Sequence, residues 1–128
     1  MDITLYGFGS CRHLNKAHLF LTAAGIRHRI HDHYRDGVDI AQVQRWFDTF
    51  GWRTVIYRYG TGWQCVPPLH RMVMDEQRIM RWIPEEPRLV RSPLVEFDGE
   101  PVLLGFHPDA WRLFFGLDSM QKSRQLPG

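Results

Sequence analysis

Apolar and polar positions alternate briefly at the start of the chain, where Ile3-Thr4-Leu5-Tyr6 predicts a short strand. The period then changes. Leu14, Ala17, His18, Leu21 and Ala24 recur at the three- and four-residue spacing of a helix with one buried face, and Gly25 supplies its C-terminal cap. Ile26 to Asp32 returns to strand character, so the first third of the chain predicts a βαβ unit with parallel strands and a right-handed crossover. After the turn signal Arg35-Asp36-Gly37, Asp39 with Gln42 three residues on reads as a capping box. It opens a helix carrying Ile40, Val43, Trp46, Phe47 and Phe50, which Gly51 stops. Trp52 to Arg58 reads as one further helical turn, and Tyr59-Gly60-Thr61-Gly62-Trp63 as a loop with aromatic walls. Pro67 or Pro68 suits a helix start and Asp75 a helix cap. Pro84 ends this region, which offers Met72, Met74, Ile79, Met80, Trp82 and Ile83 to a core. Pro93 to Phe97 and Pro101 to Leu104 flank Asp98-Gly99-Glu100, and Asp-Gly between apolar runs predicts an antiparallel hairpin. Pro108 opens a last helix with Trp111, Leu113, Phe114 and Phe115, while the polar residues 119–128 are expected to form a flexible tail.

This order of elements predicts one α/β domain over residues 1–118, with a helical insertion at about 38–91 between the βαβ unit and the closing hairpin plus helix. Composition agrees with it: the 128 residues are 44% hydrophobic and 13% aromatic, enough for one sizeable core. The net charge of +2 comes from interspersed signs, so neither nucleic acid nor a membrane surface is an expected partner. No signal peptide or membrane-length apolar run is visible, and the expected location is the cytoplasm. Two cysteines, Cys11 and Cys65, are too few for a disulfide scaffold and are not spaced as a CxxC or zinc motif.

The chemistry concentrates at Gly7-Phe8-Gly9-Ser10-Cys11, which puts a thiol at the carboxyl end of the first strand and at the first turn of the first helix. Open α/β sheets bind ligands at that edge. Unpaired backbone N–H groups and the positive end of the helix dipole favour thiolate there, and Arg12, His13 and Lys16 would push the same way. Free cysteine also serves as a small core residue, so position alone leaves a reactive and a structural reading open. Cys65 reads as a bystander thiol rather than one that resolves an oxidised Cys11. His31-Asp32-His33 alternates along a strand with no third ligand nearby, and no metal site is expected. Arg58 and Arg91 are either contacts for an anionic substrate or ordinary surface arginines.

Several motifs extend the reading. Ile3-Thr4-Leu5-Tyr6-Gly7 before Cys11, Lys16-Ala17, Gly25-Ile26, and His31-Asp32 before Asp36-Gly37 are followed by Gly51-Trp52, Arg58, Gly60-Thr61 with Trp63, Ser92-Pro93-Leu94 and Gly105-Phe106. In order and spacing they resemble the arsenate reductase (ArsC), Spx and YffB family over roughly residues 2 to 115, closest in pattern to YffB-like members. The resemblance implies a thioredoxin-like fold and a nucleophilic Cys11 that attacks an oxyanion or a mixed disulfide. It implies no bound cofactor, with glutathione as co-substrate, alone or through a glutaredoxin. It also implies a cis peptide at Pro93, which with Ser92 shapes the site.

The departures from the family pattern are informative. Arsenate-reducing members hold the oxyanion with several arginines, whose positions fall here at Ser92, Tyr57 and Gly105. Arg91 and Arg58 stand one position away from two of them, and successive extended residues point to opposite faces. The loop after Cys11 also lacks the small hydroxyl residues of arsenate reductases, so the expected substrate is not arsenate but one suited to a YffB-type thiol reductase. Leu14 occupies the place of the second cysteine in an Spx-type CxxC switch, which excludes that switch. The alternative is a catalytically silent, Spx-like adaptor that binds a protein such as RNA polymerase through Trp52, Tyr57, Tyr59 and Trp63.

Overall fold

The computed structural model describes residues 1–117, so the tail expected at 119–128 lies outside the described residues. The first strand, β1 (Ile3–Gly7), alternates its side chains between two separate cores, Ile3 and Leu5 to one and Tyr6 to the other. α1 (Arg12–Ala23) buries Leu14, Ala17 and Leu21 as its periodicity requires, and Gly25 at φ 72° turns the chain after it. β2 (Arg29–Asp32) runs parallel to β1, pairing Thr4 with Arg29 and Gly7 with Asp32. It is shorter than the predicted Ile26–Asp32. Residues 26–28 build the turn instead, because the Ile26 N–H donates to Leu21 O and the His28 ring bonds Ile26 O.

Next comes α2 (His33–Asp36), a single helical turn between the predicted strand end at Asp32 and Gly37. Asp32 caps it by accepting from the Tyr34 and Arg35 N–H groups. α3 (Ile40–Phe50) is capped by Asp39 as expected, but Gln42 does not close a capping box. Its amide nitrogen donates to Tyr6 Oη at 2.6 Å and to Glu96 Oε2 at 3.1 Å instead, a charge-assisted bond that directs the side chain at the buried carboxylate rather than back to the Asp39 N–H.

Four short helices follow: α4 (Trp52–Val55), α5 (Thr61–Gln64), α6 (Pro68–Met72) and α7 (Glu76–Trp82), the last capped by Asp75. The predicted loop over Tyr59–Trp63 is thus partly helical. Gly62 packs so closely on the Arg88–Leu89 backbone that the segment coils there, and Trp63 folds inward while Tyr59 stays 82% exposed. Met72 is a second correction: it is exposed rather than core, because α6 buries none of its residues.

A 3-10 turn at Pro87–Leu89 leads to the hairpin of β3 (Leu94–Phe97) and β4 (Glu100–Leu104). Asp98 and Gly99 take φ values of 51° and 84°, the paired positive angles that a tight hairpin turn demands. β3 runs antiparallel to both β1 and β4, so the sheet order is β2-β1-β3-β4, the thioredoxin-like arrangement. α8 (Pro108–Phe114) closes the described chain.

The sheet separates two cores. Leu14, Ala17, Leu21 and Trp111 bring α1 and α8 onto Ile3, Leu5 and Val95, while Val43, Trp46, Phe47, Val55, Ile79 and Leu89 of the insertion pack with Tyr6 and Leu94. Glu96 is buried on the insertion side, where it accepts from Tyr6 Oη, Gln42 Nε2 and Trp46 Nε1. No helix among the described residues is long and apolar enough to cross a membrane.

Candidate active site

Cys11 is the N-cap residue of α1, with extended backbone (φ −76°, ψ 119°). No side chain caps the helix start and no acidic residue lies in the first turn, so nothing competes with the thiol for the N–H groups there. The loop before it is tied at three points. Cys11 N donates to Phe8 O at 2.9 Å, Gly9 N to Asp32 Oδ2 at 3.0 Å, and Asn15 Nδ2 to Gly9 O at 3.5 Å. Partial burial would raise the Asp32 pKa, but the bonds it accepts from Tyr34, Arg35 and Gly9 hold it below the ordinary carboxylate value.

The thiol donates to Ser92 O at 3.8 Å, and the Ser92–Pro93 peptide is cis. Cys11 opens onto a cleft of about 180 Å³ walled by Phe8, Tyr57 and Phe106, with His13, Arg88, Arg91 and His107 around it. A short antiparallel clip delivers the far wall: Tyr57 N donates to Leu89 O and Arg91 N to Val55 O, both at 2.8 Å, around a bridge between Ile56 and Val90. Arg91 then reaches the cleft although Ser92 lines it too, because Thr54 O accepts from its Nε and the Tyr57 ring lies 5.1 Å from its guanidinium carbon.

Of the residues singled out from the sequence, Cys11, His13, Arg91 and Ser92 meet at this cleft, as do Tyr57 and Gly105. Arg12, Lys16 and Arg58 are exposed and do not line it. Ser92 is nine-tenths buried and its hydroxyl has no partner. Its side chain abuts Gly7, where a Cβ would come within 2.1 Å of Ser92 Oγ. A long arginine side chain at 92 would have no open space along that path.

Arg88 and His107 were not singled out from the sequence. Arg88 is held in a two-point ion pair with Glu86 at 2.7 and 3.0 Å, and also donates to Thr61 Oγ1 at 3.0 Å and Cys65 Sγ at 3.7 Å. Tyr34 donates its hydroxyl to Glu86. Arg88 thereby lowers the Glu86 pKa, and Glu86 raises that of Arg88. The sequence signal was the run Glu86-Pro87-Arg88, whose turn puts both charges on one side. His107 precedes α8, its ring lying over Gly105, where a Cβ would sit 3.0 Å from His107 Nε2. Gly105 itself is fixed by donating to Pro93 O and by accepting from the Trp111 indole.

Cys65 is exposed and does not line the cleft. His31, Asp32 and His33 go to three separate tasks: His31 Nε2 bonds Gly37 O, Asp32 caps α2, and His33 is buried beside Tyr6 and Trp46 with neither ring nitrogen paired.

A thiol at the end of the first strand, on a sheet of this order and opposite a Ser-Pro segment, defines a thioredoxin-fold protein of the arsenate reductase-related class. The chain belongs to the ArsC family, whose model matches residues 6–114. It is similar to the solved structure of the YffB protein, at 29% identity and a TM-score of 0.80 over 87% of this chain and 96% of that one. An arsenate reductase (ArsC) related protein from Brucella melitensis is also 29% identical, with a TM-score of 0.72 over 90% and 95% of the two chains. An uncharacterized protein of Haemophilus influenzae is 27% identical over 113 residues, 88% of this chain and 98% of its own.

Proposed function

We propose that this chain is a glutathione-dependent thiol reductase in which Cys11 attacks a mixed disulfide. The observation that carries the reading is the Cys11 thiol at an uncapped helix start, opening onto a cleft walled by Phe8, Tyr57 and Phe106. A tetrahedral oxyanion needs several converging cations, and here Arg88 is already neutralised by Glu86. An aromatic cleft suits an organic disulfide better.

In the first step the Cys11 thiolate bonds to the glutathione sulfur of R–S–S–G, the S–S bond breaks, and R–S⁻ leaves. A second glutathione thiolate then attacks the glutathione sulfur of the enzyme disulfide, releasing oxidised glutathione and restoring the Cys11 thiolate. The proton lost by the second glutathione ends on R–SH. Glutathione acts here alone or through a glutaredoxin, in a reducing compartment such as the cytoplasm.

The test is turnover of a glutathione mixed disulfide, with glutathione as reductant. Wild type and Cys65→Ser are expected to turn over and Cys11→Ser to lose all activity; turnover retained by Cys11→Ser would overturn the reading. The adaptor's aromatic patch is present only in half: Tyr57 and Tyr59 are exposed, whereas Trp52 and Trp63 pack against the insertion core.

A further inference from the structure

Two permanently charged side chains line the cleft, and their surroundings differ. Arg88 spends its Nε and both terminal nitrogens on Glu86, Thr61 and Cys65, and Glu86 cancels its charge. Arg91 spends only its Nε, on Thr54 O at 3.1 Å. Among the described residues neither terminal nitrogen of Arg91 has an acceptor, and no carboxylate lies within ion-pair distance. The Tyr57 ring and the Thr54 carbonyl fix the plane of this guanidinium, so its open edge is already oriented before any ligand arrives. Arg91 is half-buried and shares the cleft with Cys11, where attraction between opposite charges is stronger than in open water.

We propose that Arg91 is a carboxylate-binding subsite of the Cys11 cleft, selecting disulfides that carry a carboxylate close to the reacting sulfur. A planar carboxylate matches the two-nitrogen edge of one guanidinium, whereas a tetrahedral dianion would leave charge and acceptors unmet. The apolar walls then receive the carbon skeleton between carboxylate and sulfur. The proposal rests on Cys11 being the reacting thiol, as read above.

Its test requires no turnover. In a Cys65→Ser background, Cys11 is alkylated by iodoacetate, which carries a carboxylate, or by iodoacetamide, its neutral counterpart. Each reagent forms a thioether with Cys11 and releases iodide, and mass spectrometry gives the two rate constants. Both reagents are used at one and the same pH, so any change in thiol ionisation divides out of their ratio. Losing a charge-assisted contact predicts that Arg91→Gln lowers the iodoacetate-to-iodoacetamide ratio about tenfold. Arg91→Lys keeps the charge without the fork and falls between that value and the parent. A parent-like ratio in both variants, each shown folded by circular dichroism, overturns the subsite whether or not disulfides are turned over.

Discussion

His33 is 3% exposed and neither ring nitrogen has a partner, so the imidazole is held neutral in an apolar setting. Burial first, and His31 next, push its pKa down to about 4, with Asp32 opposing. The unfolded chain takes up this proton near the ordinary value of 6.5, well before the native state does. His33 stability is therefore complete above pH 6.5 and is lost as pH falls from there towards 4. The loss is on the order of 3 kcal/mol. His33→Leu removes the titration and the unpaired nitrogens together, so its urea midpoint should fall less than that of wild type between pH 7 and pH 5. Parallel losses in the two proteins would show that His33 does not titrate this way. At this scale the site was partly legible. Cys11 and His13 follow from a glycine turn entering a helix, a local signal. Arg88 reaches the cleft through a turn packed on Gly62, a contact distant in sequence, so the local Glu86-Pro87-Arg88 run shows the charge pair but not where it points. His107 lies over nearby Gly105, and that local contact does not show that it shares the cleft with Cys11.

Elements whose ends are set by local capping matched expectation: α3 by Asp39, α7 by Asp75, α8 by Pro108. Those set by packing did not, and α5 shows why. A Cβ at Gly62 would meet the backbone of Arg88 and Leu89 at 2.8 Å, and backbone cannot rotate aside as a side-chain tip can. Gly62→Ala should unseat α5 from the 3-10 turn, costing about 1–3 kcal/mol. Arg88 should then lose Thr61 and shift within the cleft. Thermal melting together with the Cys11 alkylation rate checks both effects; a wild-type melting temperature would mean that the turn accommodates the methyl group.

Across the whole molecule, Glu96 joins the sheet to the insertion. One carboxylate on β3 accepts from Tyr6 of β1 and from Gln42 and Trp46 of α3, with Arg45 a further 3.9 Å away. Burial, followed by Glu96, keeps the Tyr6 phenol above its ordinary value. Glu96→Ala leaves the buried Trp46 N–H without an acceptor and should lower unfolding free energy by about 3 kcal/mol. Chemical denaturation reads this directly, and a loss below about 1 kcal/mol would show that water replaces the carboxylate. The parallel βαβ unit and the antiparallel hairpin were readable from hydrophobic period and the Asp98-Gly99 turn, whereas the joining of the two through β1 and β3 came only with the family resemblance. The Glu96 hub was not, because one carboxylate inside an apolar strand says nothing about which donors will surround it.

The cleft draws on both cores that the sheet keeps apart. Cys11 and Phe106 stand on the one beneath α1 and α8, whereas Val90 belongs to that of the insertion, with Arg88 and Arg91 flanking it in sequence. Under the function proposed above, what reacts and what is admitted are thus written on separate stretches of chain, and residues 54–58 or 88–91 can be rewritten to change the clientele while Cys11 keeps its footing.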